Sequence, residues 1–352
     1  MSYYAGLDIS QKETSIAIAN EKGKIVFERV CLTDPEAIVE VFKEIPYQVE
    51  KIGLESGNLS FWLIDELKKL GVNAICVESK YMSRIISLKV NKTDKNDARA
   101  IADAMRCNLY KEVYHKSKEA IDIGLQMGSR RTLVNLRTQL KNSIRGYLKA
   151  YGIRLSTVSH EKFAGEVRKS LEMQNPYVQG SIEVLLKSYE EICRNIETTE
   201  KTLELLCKKD PIIELLESIP CIGTITAMTF KAVIDNPNRF EDPRNIGAYL
   251  GLTPRQQSSG ETIKQGKISK CGSTELRMLL IECAIVMLTR SKVWTKLKAW
   301  GLKIMKKSGL KKAAAAVARK LAILMLRVWQ EGKAFIWNES KVKELAELCM
   351  GV

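Results

Sequence analysis

The chain has 352 residues, of which 45% are hydrophobic and 28% are charged, and this balance excludes wholesale disorder. Its 56 lysines and arginines exceed its 41 aspartates and glutamates, and the resulting net charge of +15 favours polyanionic partners. No window approaches about eighteen uninterrupted apolar residues and the N-terminus lacks a signal-peptide layout, so we expect a cytoplasmic protein without a membrane span.

The first third of the sequence alternates between strand and helix patterns. In chain order, we predict strands over 3–9, 14–19 and 24–31, a helix that begins at Pro35 with Asp34 as its N-cap, strand 51–55, helix 59–70, strand 72–78, a short helix, and a helix over ARAIADAM. Three antiparallel strands followed by αβαβα is the order of an RNase H-like fold, an α/β architecture. A Rossmann unit would alternate from its start and carry GxGxxG after the first strand, and that motif is absent from the sequence.

The middle of the chain, from about 117 to 215, has an almost entirely helical pattern. Pro176 separates a predicted helix near 129–151 from a long one over about 177–208. Apolar residues recur mostly every three or four positions along the long helix, which favours a coiled-coil hairpin or an oligomer interface. A helix packed on its own domain fits the same spacing, so both alternatives stay open.

The last third of the chain differs in composition. Glycines, prolines and polar loops return over 213–290, followed by the apolar helix ELRMLLIECAIVML. Residues 291–328 are basic with a helical pattern, and the tail to residue 352 predicts one short helix. We therefore expect a mostly helical C-terminal domain.

Cysteine and histidine usage limits the available chemistry. The nine cysteines are odd in number, none are spaced as CxxC, and most lie among apolar residues, so we predict buried free thiols rather than disulfides or a zinc site. The chain has only two histidines. Any catalysis therefore has to use carboxylates, hydroxyls, lysine or arginine.

Four acidic residues fall where the predicted fold would gather them. Asp8 closes the first strand and Glu55 the fourth, and these strands are neighbours in an RNase H-like sheet. Asp94 and Asp97 open a helix three residues apart and so share one of its faces. Converging carboxylates repel unless cations hold them, and two hard divalent ions about 4 Å apart can clamp the reacting oxygens of a phosphodiester. We predict a Mg²⁺ (or Mn²⁺) site; the alternative is that these acids are strand-end and N-cap residues.

Two acid-free basic stretches predict binding to nucleic acid. The first, 129–154, contains Arg130, Arg131, Arg137, Lys141, Arg145, Lys149 and Arg154, with Tyr147 and Tyr151 as candidates for base stacking. The second, between Glu282 and Glu331, contains twelve lysines and arginines. Solvated faces usually interleave acids with bases, so stretches without acids favour a phosphate backbone. A membrane surface is the alternative for the second stretch.

Two shorter segments contain motifs that could contact or react with phosphate. The segment ESIPCIGTITAMT at 217–229 has the pattern of a helix-hairpin-helix, whose turn exposes backbone N–H groups to phosphate, or of a plain helix packing corner. Further on, Ser258 and Ser259 precede Gly260 in a predicted polar loop, with Arg255, Lys264 and Lys267 nearby. Alone, Ser-Ser-Gly is ordinary turn chemistry.

Five segments spread along most of the chain form a more specific set: GLDIS, GLES, KTDKNDARAIA, SIPCIGTITA and GAYLGLTPRQQSSGETIKQGKISKCGSTELR. This set resembles the DEDD-type insertion-sequence transposases, which are described as bridge-RNA-guided recombinases. The resemblance implies a RuvC-like RNase H-fold domain over 1–150, a helical coiled-coil region for oligomerisation over 151–212, a transposase domain over 213–330 and a tail over 331–352.

Carried over by position, the resemblance also implies site residues. The catalytic, metal-binding quartet falls on Asp8, Glu55, Asp94 and Asp97, and the catalytic serine falls in the Ser258–Ser259 pair. Ser259 is preferred because it directly precedes the glycine. The family commonly continues Ser-Ser-Gly-Gly, and Glu261 replaces the second glycine here.

The implied chemistry is serine attack on a DNA phosphodiester, which leaves a transient phosphoserine bond and a free 3′-OH and preserves the phosphodiester energy for rejoining. We hypothesise that the acidic site is brought against the serine segment to accept the proton, while Arg255 and nearby lysines stabilise the pentacovalent phosphate. The implied partners are donor and target DNA, a noncoding guide (bridge) RNA and further copies of the chain, in a homotetramer built as a dimer of dimers.

Two other functions compete with this one. A RuvC-like metal-dependent junction nuclease would use the acids and leave GLTPRQQSSG without a role. A non-catalytic nucleic-acid scaffold would explain the charge alone. A covalent protein–DNA adduct distinguishes the recombinase from both alternatives.

Overall fold

The computed structural model describes residues 1–86, 93–207, 210–259 and 262–336. The chain divides into two units, the first spanning Met1–Lys116 and the second beginning at Ser117. None of the helices within the described ranges is both long enough and apolar enough to cross a membrane.

The first unit is built on a five-stranded sheet. Its strands are β1 (Tyr3–Ile9), β2 (Glu13–Asn20), β3 (Ile25–Leu32), β4 (Val49–Glu55) and β5 (Ala74–Val77), in the spatial order β3-β2-β1-β4-β5. The first three strands pair antiparallel, whereas β1 pairs parallel with β4 and β4 pairs parallel with β5. The prediction of an antiparallel meander followed by alternating helices and strands is confirmed, as is the placement of the first and fourth strands as neighbours.

Helices cover both faces of this sheet. They are α1 (Pro35–Glu44), α2 (Ser60–Lys69), α3 (Ser79–Ile86) and α4 (Asp94–Arg106). The predicted start of α1 is confirmed, because the Asp34 side chain accepts a hydrogen bond from the Ala37 N–H at 3.1 Å. Side chains alternate along β1, so Ala5 and Leu7 pack with α1 and α2 while Gly6 faces α4 on the other side.

The second unit begins with long helices that pack on one another. These are α5 (Lys118–Ala150), α6 (His160–Leu171) and α7 (Pro176–Cys207), followed by α8 (Pro211–Glu217) and α9 (Thr224–Ile234). Ile182, Leu186 and Tyr189 of α7 are buried in one cluster with residues of α5 and α6. Much of the apolar spacing along α7 thus serves packing within the chain, while a role in oligomerisation stays a prediction.

The C-terminal part of this unit is helical apart from one hairpin. It contains two short 3₁₀ turns, α10 (Ile246–Tyr249), β6 (Pro254–Ser259), β7 (Thr262–Ile268), α11 (Thr274–Thr289), α12 (Lys296–Ser308) and α13 (Leu310–Glu331). Helices α8, α9, α11 and α13 share one apolar core. Of the tail, which we predicted as a short helix, residues 337–352 lie outside the described part of the chain.

The interpretation of the serine segment as a polar loop is wrong. Residues 254–259 form strand β6, which pairs antiparallel with β7. The strand PRQQSS shows no alternation of apolar and polar residues, and its described structure is the backbone pairing with β7. The sequence therefore carried no period-two signal from which a strand could be predicted.

Candidate active site

The parallel pairing of β1 with β4 brings two of the four predicted acids to the same edge of the sheet. Leu7 lies opposite Leu54 in the register, so Asp8 and Glu55 follow at adjacent positions. Both side chains are half-buried. Each lies two residues beyond a glycine that faces α4, and strand alternation therefore places both carboxylates on the α4 face.

At Gly6, the backbone of helix α4 approaches the backbone of the sheet directly. A Cβ added at Gly6 would lie 2.2 Å from the Ala98 carbonyl oxygen and 2.4 Å from the Ala102 nitrogen. Only glycine permits such an approach of helix backbone to strand. The first turn of α4, which carries the other two acids, is thereby held beside the strand that carries Asp8.

The two acids of α4 occupy different environments. The helix begins with a Thr93 N-cap, whose side-chain oxygen accepts a hydrogen bond from the Asn96 N–H at 3.3 Å. Asp94 is exposed, whereas Asp97 is only 7% exposed and its Oδ1 atom has no hydrogen-bond partner. A buried carboxylate oxygen without a donor is costly, and a cation is one way to satisfy it.

Arg99, which lies on α4 between the acids and the end of the helix, forms an ion pair with a residue of the sheet. Its Nη2 atom donates to Glu28 Oε2 of β3 at 2.7 Å, and this hydrogen bond lowers the pKa of the Glu28 carboxyl. The pair links α4 to the outer part of the sheet. Of the other basic residues near Asp94 and Asp97, Lys89 and Lys92 lie outside the described residues.

The four acids lie near one sheet edge, but they do not form a closed metal site. Within the described residues, no group of three or more histidine, cysteine, aspartate or glutamate side chains is close enough to hold a metal ion. Asp8, Glu55, Asp94 and Asp97 nevertheless offer only oxygen donors, the ligand type that Mg²⁺ and Mn²⁺ prefer. The unpartnered Asp97 Oδ1 fits such an ion, so the residues present are compatible with a divalent cation.

The serine pair lies at the end of the β6–β7 hairpin. In the register, Ser258 is opposite Ile263 and Ser259 is opposite Thr262. The side chains of Ser258, Ser259 and Lys264 lie outside the described part of the structure, so only their backbone positions are assigned. Arg255 donates across the hairpin to the Ser269 carbonyl at 3.2 Å, and Lys267 is exposed.

The base of the hairpin is fixed by features that the sequence interpretation missed. Arg277 of α11 is only 5% exposed and donates to the carbonyl oxygens of Leu250 and Cys271, at 3.1 and 2.7 Å. Gly251 and Gly272 both have positive φ angles and pack against backbone atoms, where no Cβ would fit. An arginine inside the apolar helix ELRMLLIECAIVML was the signal that could have identified Arg277 as an anchor.

Most of the first basic stretch is engaged within the chain. Arg130 donates to Glu200 at 2.8 Å, and Arg131 lies 3.8 Å from Glu275. Lys141 and Arg145 donate to backbone carbonyls of the segment that follows α5. Arg137 is half-buried, whereas Lys149 and Arg154 are exposed. Lys149, near the end of α5, and Arg154, just after it, are therefore the cations of this stretch that can contact a phosphate backbone without rearrangement.

We expect the two ends of this stretch to respond differently to mutation. Combining Lys149→Ala with Arg154→Ala should lower the slope of log K against log salt for DNA binding by about 1.5, at about 0.7–0.9 per lost phosphate contact. Arg130→Ala should leave that slope unchanged and lower the free energy of unfolding by about 1 kcal/mol or less, since it leaves Glu200 unpaired. Salt titrations and thermal melts measure both quantities; an altered slope in Arg130→Ala would contradict the assignment.

Comparison with known proteins gives two family matches. The model for DEDD transposases of the IS110 type matches residues 5–153, and the model for the transposase IS116/IS110/IS902 family matches residues 213–299. The first match contains all four acids near the sheet edge. The second contains the β6–β7 hairpin and Arg277.

Individual relatives agree with these matches. The transposase for insertion sequence element IS1111A from Coxiella burnetii is 32% identical over 240 residues, which cover 67% of this chain and 66%, about two thirds, of that relative. The transposase for IS1328 from Yersinia enterocolitica is 27% identical over 286 residues, or 81% of this chain and 85% of the relative. A pilin gene-inverting protein from Moraxella lacunata is 32% identical over 125 residues, which cover 34% of this chain and 38% of that protein.

Proposed function

The chain belongs to the IS116/IS110/IS902 family of insertion-sequence transposases, and we propose that it moves its element by cutting and rejoining DNA through a serine–phosphodiester intermediate. The observation that carries the DNA-cutting part of this proposal is the arrangement at the sheet edge, whereas the serine part is supported by the family match over 213–299. At the sheet edge, two strand-end carboxylates and a buried aspartate with an unpartnered oxygen share one face. The β6–β7 hairpin in the second unit supplies the candidate nucleophile.

We assign the first unit to the RNase H-like, or RuvC-like, class. The strand order β3-β2-β1-β4-β5, with an antiparallel meander and a parallel β1–β4 pair, supports this assignment. So does the placement of acids at the ends of β1 and β4 and on the helix that packs against them. Carboxylates gathered at such an edge can act on a phosphodiester when they hold divalent ions.

The acidic residues Asp8, Glu55, Asp94 and Asp97 would hold a divalent cation, Mg²⁺ or Mn²⁺. Since no three of them lie close enough to share an ion in the described structure, their carboxylates would have to move together when it binds. A bound ion supplies Lewis-acid charge to the phosphodiester oxygens. The residues of this chain orient their carboxylates towards one face and keep Asp97 away from bulk water. Burial strengthens the attraction between Asp97 and a cation, since the local dielectric constant is lower than that of water.

We assign the nucleophile to Ser259, with Ser258 as the alternative. The Ser259 Oγ forms a bond to phosphorus, the bond from phosphorus to the 3′ oxygen breaks, and the proton lost by serine ends on that oxygen as a 3′-OH. Rejoining reverses these changes with a different 3′-OH. Arg255 and Lys267 on the same hairpin, together with Lys264, supply positive charge for the pentacovalent phosphate.

The proposed partners follow from charge and from family membership. Donor and target DNA meet the basic surfaces, and we propose a noncoding guide RNA that pairs with both. A homotetramer, formed as a dimer of dimers, would provide four serines for two sites with two strands each. The name of the Moraxella lacunata relative, a gene-inverting protein, is consistent with chemistry that rejoins what it cuts.

Covalent trapping tests this function. The wild-type protein, assembled with the noncoding RNA that flanks its element, donor and target DNA and Mg²⁺, should give a protein–DNA adduct on a denaturing gel. Ser258→Ala should keep the adduct, while Ser259→Ala should lose both the adduct and strand exchange, because no other hydroxyl occupies that position. Binding of RNA and DNA should be unchanged in both variants.

Other outcomes would contradict the proposal. Cleaved DNA without any adduct, still dependent on Asp8 and Asp97, would indicate the alternative function, a RuvC-like metal-dependent junction nuclease. Binding with neither cleavage nor adduct would indicate a scaffold. Full strand exchange by Ser259→Ala would exclude this serine as the nucleophile.

A further inference from the structure

A cavity of about 510 Å³ lies in the second unit, and its described lining includes no residue of the β6–β7 hairpin. Its apolar lining includes Met287, Leu297, Ile323, Leu324 and Phe335. This volume is within the usual range for small-molecule sites. It is large enough for one nucleotide and far too small for a base-paired duplex.

The same cavity is bordered by cations. Arg244, Lys296, Lys320 and Arg327 all contribute to its lining, and all four are exposed. Arg244 pairs with Asp242 at 2.9 Å, whereas the other three enter no ion pair within the described part of the chain. The stretch between Glu282 and Glu331 contains no acid that could neutralise them. Asp242 thus compensates part of this charge, while Lys296 and Lys320 have no acidic partner among the described residues. An apolar interior with a cationic border of this kind is complementary to a ligand that has an apolar planar part and a negative charge.

Exposed aromatic side chains extend this surface. Trp294, which immediately precedes the cavity residues Thr295 and Lys296, is 65% exposed. Trp300 is 38% exposed, and the Lys320 ammonium lies 5.9 Å from the centre of its ring. Exposed tryptophans on a strongly basic surface are typical of proteins that stack on unpaired bases.

We propose that this cavity binds one unstacked nucleotide of the DNA substrate. The base lies against Leu297, Ile323 and Phe335, and the flanking phosphates contact Lys296, Lys320 and Arg327. A base inside a duplex cannot enter, so the site selects DNA that is locally unpaired, as it is during strand exchange. This inference rests on the proposed function for the identity of the ligand as DNA, but it does not depend on the serine chemistry.

Binding of two matched DNA probes tests the inference. One probe is a fully paired duplex, and the other is the same duplex with a single unpaired nucleotide that carries a photoreactive 5-iodouracil. The full-length protein should bind the second probe roughly tenfold more tightly, and irradiation should crosslink the modified base to the peptide that contains Phe335. Phe335→Ala should abolish this preference while leaving the affinity for the paired duplex unchanged.

Charge variants provide a second, independent measurement. Lys296→Ala and Arg327→Ala should each weaken binding of the unpaired probe and lower its salt slope by about 0.7. Lys311→Ala removes an exposed cation from α13 outside the cavity and should affect both probes equally. Ser259→Ala should bind both probes like the wild type, so a failure of the serine assignment leaves this test intact.

Three results would overturn the inference. Equal affinity of the wild-type protein for both probes would exclude a site for an unpaired nucleotide. Crosslinks confined to peptides outside the cavity would place the base elsewhere. An equal or greater preference for the corresponding RNA probe would assign the cavity to RNA and not to the DNA substrate.

Discussion

Replacing Gly6 by valine is expected to unfold the first unit while the second unit stays folded. The atoms that a Cβ at this position would meet, Ala98 O at 2.2 Å and Ala102 N at 2.4 Å, belong to the backbone of α4 and cannot rotate away. The helix would have to leave the sheet, which exposes the buried contacts of Ile101 and Met105. We expect the free energy of unfolding of the first unit to fall by at least about 3 kcal/mol. Hydrogen exchange of the full-length protein, followed by mass spectrometry of peptides from β1 and α4, measures it.

Two other glycines of the same unit provide a graded control. A Cβ at Gly53 would meet the Met105 side chain, with Sδ at 2.7 Å, and a methionine side chain can shift. A Cβ at Gly57 would only contact Ser60 Oγ at 3.7 Å, an ordinary distance. Alanine at positions 6, 53 and 57 should therefore destabilise the unit in decreasing order. Equal effects at the three positions would contradict the role assigned to the contact between α4 and β1.

The first unit was predictable because each of its local signals agrees with the final fold. Apolar runs in β1 and β2 indicate buried strands, and the Asp34–Pro35 pair marks the start of α1 by capping chemistry alone. The adjacency of Asp8 and Glu55 followed from the order of the elements. The order of the elements could not predict the distance between α4 and the sheet. Gly6 determines this distance through a tertiary contact and not through a local conformational preference.

The second unit was predictable as helix but not in its details. The β6–β7 hairpin escaped prediction because its stability comes from backbone pairing and from Arg277, a residue distant in sequence from the serine pair. The positive charge of the basic stretch on α5 could be predicted from the sequence. The partners of Arg130 and Lys141, however, lie on other segments of the fold. Composition predicts that such a surface is basic, but only tertiary structure separates the cations that brace the fold from those that face solvent.

The difference between Asp94 and Asp97 was likewise not readable from sequence, because both lie in the first turn of a helix that the Thr93 cap defines. Packing of α4 onto β1 buries one and leaves the other exposed. Burial of the Asp97 carboxylate with no hydrogen-bond partner at Oδ1 carries a cost in stability, which is typical of residues kept for function. This difference allows the two roles to be tested separately.

Asp97→Asn is expected to abolish strand transfer without lowering thermal stability in metal-free buffer. The buried amide still lacks a partner, but it carries no charge, and burying a neutral group costs less than burying a charged one; this gain offsets a loss of about 0.3–1 kcal/mol from the favourable interaction with the α4 N-terminus. The net result is a melting temperature that is unchanged or raised by a few degrees. Strand transfer should fall at least about a hundredfold, because a neutral amide binds a divalent cation poorly.

Thermal melts with and without Mg²⁺ separate the two effects. Binding of the ion to the folded state should raise the melting temperature of the wild-type protein, and Asp97→Asn should lose most of this increase. Asp103→Asn changes an exposed acid on the same helix and should keep both the Mg²⁺ response and strand transfer. If Asp97→Asn instead melts lower in metal-free buffer and retains strand transfer, Asp97 serves the start of α4 and not the reaction. The greater burial of Asp97 compared with Asp94 would then have a purely structural origin.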